Sequence, residues 1–135
     1  MTKEELQAVL NAAPFHHFLR MEIIAVDMEE KRIVLRLPYR PEYQRQAEAG
    51  QVHGGVISAF IDVAGTFAVA AVVDHGVPTI NLRVDYLRGA SDTTLIATAT
   101  VLRAGRTVAV VDIDLCDEQG KLIAVGRGTY GTQMG

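Results

Sequence analysis

Hydrophobic and polar positions along this chain follow two different periods in succession. Leu6, Val9 and Leu10 recur at helical spacing and predict a short amphipathic helix over 2–13. Thr2 followed by Glu5 is a capping box for it. Segments 22–26 and 32–37 read as two strands around the polar turn Asp27-Met28-Glu29-Glu30-Lys31. Residues 38–51 are polar and without period, a length that suggests a functional loop. Gly54-Gly55 then open a long apolar helix that ends near Asp74-His75-Gly76, with Gly76 the expected C-cap and Pro78 blocking continuation.

After that helix the period becomes two. Ile80, Leu82, Val84 and Tyr86 alternate with Asn81, Arg83 and Asp85 in a strand over 79–88. Strands at 94–102, 107–116 and 121–130 follow, joined by turns at Arg103-Ala104-Gly105-Arg106 and Asp117-Glu118-Gln119-Gly120. The expected class is α+β: an antiparallel meander with one long helix against it. That helix is apolar almost all round, so it needs cover on most sides. A curled sheet supplies part of the cover and a second subunit could supply the rest.

The length of 135 residues fits a single domain spanning 1–135. A net charge of -3 offers no positive field for nucleic acid. The basic residues are mostly Arg, suited to planar contacts with phosphate or carboxylate. Cys116 is the one cysteine, so no disulfide closes within the chain. The charged start Met1-Thr2-Lys3-Glu4-Glu5 lacks the apolar core expected of a signal peptide, and the expected compartment is the cytoplasm. Val56 to Val73 runs 18 residues without Lys or Arg. Asp62 near its middle would be costly in a bilayer, so the run reads as a buried helix and no membrane partner is expected.

Asp62 is also the first candidate for chemistry. A carboxylate in an apolar helix is expensive unless paired or functional. Ser58, Asp62 and Thr66 follow at i, i+4 steps and form one polar stripe. A structural Asp satisfied by hydrogen bonds fits the same pattern. His53-Gly54-Gly55 is the second candidate. Glycines at a helix start let another molecule approach the backbone, and first-turn N–H groups lack internal acceptors. With the helix dipole they suit a polarised carbonyl oxygen. Gly55 and Asp62 are seven residues apart, on one helix face. A plain loop-to-helix turn is the alternative. Cys116 sits in a strand without an evident base, and His16-His17 lacks metal-ligand spacing. No metal or cofactor is implied, and no nucleophile elbow, P-loop or dinucleotide fingerprint is present.

The run Gly50-Gln51-Val52-His53-Gly54-Gly55-Val56-Ile57-Ser58-Ala59-Phe60-Ile61-Asp62 resembles the hallmark segment of hotdog-fold thioesterases of the phenylacetate-pathway type. Val84-Asp85-Tyr86-Leu87-Arg88 resembles the strand after the family's central helix. Gly105-Arg106-Thr107-Val108-Ala109 and Gly120-Lys121-Leu122-Ile123-Ala124 resemble its last hairpins. The resemblance implies a long central helix wrapped by a curved antiparallel sheet. It also implies Asp62 as general base or nucleophile, the Gly54 N–H as oxyanion donor, and His53 positioning the loop or the carbonyl. Thr79 falls where relatives carry Ser or Thr near the attacking water. Loop and carboxylate would come from opposite subunits of a homodimer, with homotetramers common. Where several relatives carry Asn, this chain has Ala47, with Gln46 beside it as a substitute.

The implied reaction is hydrolysis of an acyl-CoA to free acid and CoA. Gly55, Ser58 and Gln46 would contact substrate, and Arg88, Arg103, Arg106 or Arg127 would meet the CoA phosphates. A hydratase or dehydratase on the same fold, or a non-catalytic acyl-CoA-binding protein, are the alternatives.

Overall fold

A computed structural model describes residues 1–133. Helix α1 (Lys3–Ala12) begins where the capping box places it, with Thr2 Oγ1 accepting the Glu5 N–H at 3.1 Å. It buries Leu6 and Leu10, whereas Val9 is left 49% exposed. Helix α2 (Pro14–Leu19) is absent from the sequence reading. Six residues are too few to show a period, and Pro14 starts this helix in the one place where proline costs it nothing.

Strands β1 (Glu22–Asp27) and β2 (Arg32–Leu37) precede α3 (Gly54–Val73). Strands β3 (Thr79–Tyr86), β4 (Leu95–Ala104), β5 (Val108–Cys116) and β6 (Leu122–Gly131) follow it. All pair antiparallel, in the order β1-β2-β4-β5-β6-β3. Only β4, β5 and β6 form the expected meander. The chain crosses the sheet face in α3 and delivers β3 to the far edge, beside β6.

The sheet curves around α3. Alternate residues point at the helix: Leu95, Ala97, Ala99 and Val101 on β4, and Ala109, Val111, Ile113 and Leu115 on β5, all buried. The helix answers with Ile57, Phe60, Ile61, Ala64 and Phe67. Each large side chain so buried contributes about 1.5–3 kcal/mol. By length and composition α3 could cross a bilayer, but 61% of its most apolar window is buried in this core. Its C-cap is not Gly76. Asp74 takes the left-handed conformation at φ 65° and donates its N–H to the Ala70 carbonyl at 2.8 Å. A short polar side chain tolerates that region.

The two sheet edges differ. At β1 the Gln7 amide accepts the Ile23 N–H at 2.6 Å and donates to the Met21 carbonyl at 3.2 Å, so α1 covers the edge. At β3 the edge is open, and Ile80, Tyr86 and Leu87 are each more than half exposed. Beside it lies the part of α3 that the sheet does not cover. Ser58, Ala59, Asp62 and Thr66 form a half-buried stripe there.

Candidate active site

The loop between β2 and α3 delivers the helix start. Tyr43 accepts the His53 N–H on its carbonyl at 2.7 Å, Gln44 Oε1 accepts the Gly50 N–H at 2.6 Å, and Val52 donates to Ala90 at 2.8 Å. His53 is thereby the N-cap of α3, and its Nδ1 accepts the Gly55 N–H at 2.8 Å. A ring nitrogen that accepts carries no proton, so Nε2 is the ring's donor. Both glycine N–H groups were expected to be free. The capping by His53 leaves one: among the described residues the Gly54 N–H has no acceptor.

Tyr86 fixes this corner from β3. Its hydroxyl donates to the Gly54 carbonyl at 2.8 Å and accepts from Ser58 Oγ. Sequence reading missed Tyr86, because the period marks it only as one more apolar position. A cavity of about 270 Å³ opens here, lined by Gly54, Tyr86, Arg88, Arg45 and Gln51. Arg88, a candidate for the CoA phosphates, lines this cavity. Arg45 and Gln51 were not foreseen, and they arrive through the loop's bridges Gln44 to Val52 and Gln51 to Ser91. Gln46 is exposed beyond them at the loop's tip.

Asp62 lies eight residues along the helix from Gly54, about 12 Å by helical rise. It is half-buried in the single chain rather than enclosed. Thr79 Oγ1 donates to Asp62 Oδ1 at 2.8 Å. Tyr130 Oη lies 3.4 Å from the same oxygen and 3.3 Å from the Asp62 carbonyl, which Thr66 Oγ1 also reaches at 2.9 Å. Thr79 therefore holds the carboxylate itself.

A bulge makes this possible. Leu82 pairs with Gly128 and Val84 with Gly126, so a regular ladder would set Ile80 opposite Tyr130. The register shifts between Thr79 and Asn81, and Thr79 takes that place. Ile80 is pushed out to 59% exposure. One extra residue has exchanged an isoleucine for a hydroxyl beside Asp62.

The remaining candidates lie apart. Arg103 and Arg106 flank the β4–β5 turn, which Thr132 ties down and which adjoins the Thr79 end of β3. Arg88 follows the Tyr86 end, seven strand residues or about 23 Å away. The single chain therefore does not gather the three arginines. Arg127 forms a two-pronged pair with Asp112 on the outer sheet face, at 2.6 and 2.9 Å. Burial pushes the Cys116 thiol above its ordinary value, away from the nucleophilic thiolate.

Residues 49–124 match the thioesterase superfamily. The medium/long-chain acyl-CoA thioesterase YigI of Escherichia coli K12 is 31% identical over 132 residues, covering 87% of this chain and 84% of its own length. A solved structure described as a protein from the thioesterase superfamily has a TM-score of 0.90 and 33% identity, covering 96% of this chain and 97% of its own. The PaaI protein of the Escherichia coli phenylacetic acid degradation operon shares the fold, with TM-score 0.82, 24% identity, and coverage of 98% and 95%.

Proposed function

Because this chain belongs to the thioesterase superfamily and has the hotdog fold, we propose that it hydrolyses acyl-CoA thioesters to free acid and CoA. The Gly54 N–H receives the developing oxyanion at the positive end of α3. Asp62 acts as general base on water or as nucleophile. His53 presents Nε2–H toward the carbonyl, and Ser58 and Gln46 border the acyl and pantetheine path. The protein works in the cytoplasm as a single-domain homodimer, with a homotetramer the larger assembly.

One observation supports this reading above the others. Gly54 and Asp62 share the stripe that the sheet leaves uncovered, yet stand about 12 Å apart along one helix. A thioester cannot touch both when an oxyanion contact is about 3 Å. A second copy resolves the mismatch. Antiparallel pairing of two β3 edges about a two-fold axis sets the Tyr86 end of one strand against the Thr79 end of the other. Gly54 of one protomer then meets Asp62 of its partner. The same operation brings the Arg103–Arg106 turn of one protomer toward the Arg45–Arg88 cavity of the other. CoA phosphates are held there by arginines of both copies.

Free-thiol release across acyl-CoAs from short-chain to long-chain and aromatic tests the activity. Sedimentation at assay concentration tests the assembly. A dimer that releases no thiol from any of them would sink the hydrolase reading, and a fully active monomer would sink the shared site.

A further inference from the structure

We propose that Tyr130 is a positioning residue for Asp62, and that together with Thr79 it commits Oδ1 of the carboxylate to structure and leaves Oδ2 for chemistry. The inference rests on the functional reading above. The bulged register makes Thr79 and Tyr130 cross-strand partners, and both hydroxyls reach the same oxygen, at 2.8 and 3.4 Å. Among the described residues, Asp62 Oδ2 accepts no hydrogen bond. Tyr130 also reaches the Asp62 carbonyl at 3.3 Å, so its one hydroxyl proton is shared between the side chain and the helix turn that carries it.

The fold makes room for this phenol at some expense. Tyr130 is wholly buried between α3 and its own strand. A Cβ on Gly65 would stand 2.1 Å from its hydroxyl oxygen, and a Cβ on Gly128 would stand 2.5 Å from it. Gly in a helix interior is less favourable than Ala, so the clearance is not free. A phenylalanine would fill the same space without meeting Asp62, so packing alone does not call for the hydroxyl. Burial, then the charge of Asp62, pushes the Tyr130 phenol well above its ordinary value. It therefore stays protonated and can only donate to a carboxylate.

The test uses Tyr130→Phe in the full chain. A hydrogen bond to a charged group is worth more than a neutral one, but these distances are long. The expected fall in kcat is about tenfold, with KM within about twofold and the melting temperature nearly kept. The acid limb of the kcat pH profile should move to higher pH, because the ionised carboxylate has lost a donor. A purely structural tyrosine would lower the melting temperature and leave the acid limb in place. Unchanged kcat and an unchanged acid limb would overturn the proposal.

A second measurement needs neither turnover nor that variant. With tyrosine labelled at the ring carbon bearing the hydroxyl, Asp62→Asn should move the Tyr130 resonance, and no movement would again overturn the proposal. Coupling between the two residues in a protein that hydrolyses no acyl-CoA would sink the function and leave the positioning role. Hydrolysis without coupling would sink the positioning role alone.

Discussion

The two stations on the uncovered stripe of α3 are built in opposite ways. At Gly54 the proposed working group is a backbone N–H at a helix terminus, left open while the His53 ring takes its neighbour's N–H. At Asp62 the proposed working group is a side chain in mid-helix, held by hydroxyls from β3 and β6. The first station comes from local chain geometry: any sequence that caps a helix at this point and keeps a backbone N–H there provides a donor. The second depends on residues 17 and 68 positions away in sequence. Backbone donors resist most substitutions, whereas a held carboxylate responds to each of its neighbours.

Substitutions at each station can break this comparison. Asp62→Asn should have the largest effect, about 10²–10⁴ in kcat, since Asn keeps the volume but accepts no proton. Thiol release and CoA binding, measured together, check it: near wild-type turnover would make Asp62 structural. Gly54→Pro should come next, at about 10²–10³ in kcat. Proline is tolerated at the first helical position, and His53 already has the extended backbone, ψ 135°, that precedes proline. Gly54→Ala keeps the N–H, and its Cβ would meet Tyr86 at a bearable 3.4 Å. It should therefore retain most activity. Equal losses in the two variants would remove the backbone N–H from the mechanism.

Arginine changes sharpen the comparison by testing whether the proposed site is shared between copies. Arg88→Ala and Arg106→Ala should each raise KM about threefold to tenfold with kcat little changed, because phosphate contacts persist from ground state to transition state. Mixing the two variants gives a finer test. Heterodimers carrying one of each keep one site with both arginines intact, which initial-rate kinetics can detect. If Arg106→Ala leaves KM unchanged, the β4–β5 turn is not part of the CoA site.

The smallest effect belongs to the outer sheet face. The Arg127 guanidinium, first through its hydrogen bond, holds the Asp112 carboxyl below the usual carboxylate range. A depressed folded value means that this pair stabilises above the unfolded carboxylate value and stops doing so as pH falls through the folded one. Both side chains are more than a third exposed, so screening keeps the contribution small. Arg127→Ala should lower the urea midpoint only slightly at pH 7, and not at all in acid below the folded Asp112 value. Activity should be unaffected.

The two sheet edges extend the same contrast. Gln7 closes β1 from within the chain, while β3 presents exposed Ile80, Tyr86 and Leu87 next to the half-open stripe. An open apolar edge is a hazard that proteins normally cover. In the proposed homodimer its cover and the completion of the site are the same event.

Local signals were enough to read α1 with its cap, the four strands after α3 and the His53-Gly54-Gly55 turn, because period, capping and turn chemistry act over a few residues. The same is true of Asp62, which an apolar helix exposes to view by contrast. The resemblance pointed to Thr79 as a group near the attacking water; that it binds the Asp62 carboxylate came from the structure. The chain's local pattern could not announce that β3 would leave the meander for the far edge, since edge order is decided by where α3 crosses the sheet. Nor could it show that a bulge would put Thr79 rather than Ile80 beside the carboxylate, because strict alternation assigns that place to Ile80. Tyr86 and Tyr130 passed as two more apolar positions. Their hydroxyls acquired partners only when β3, β6 and α3 were brought together, and a hydrogen bond between residues far apart in sequence leaves no period to read.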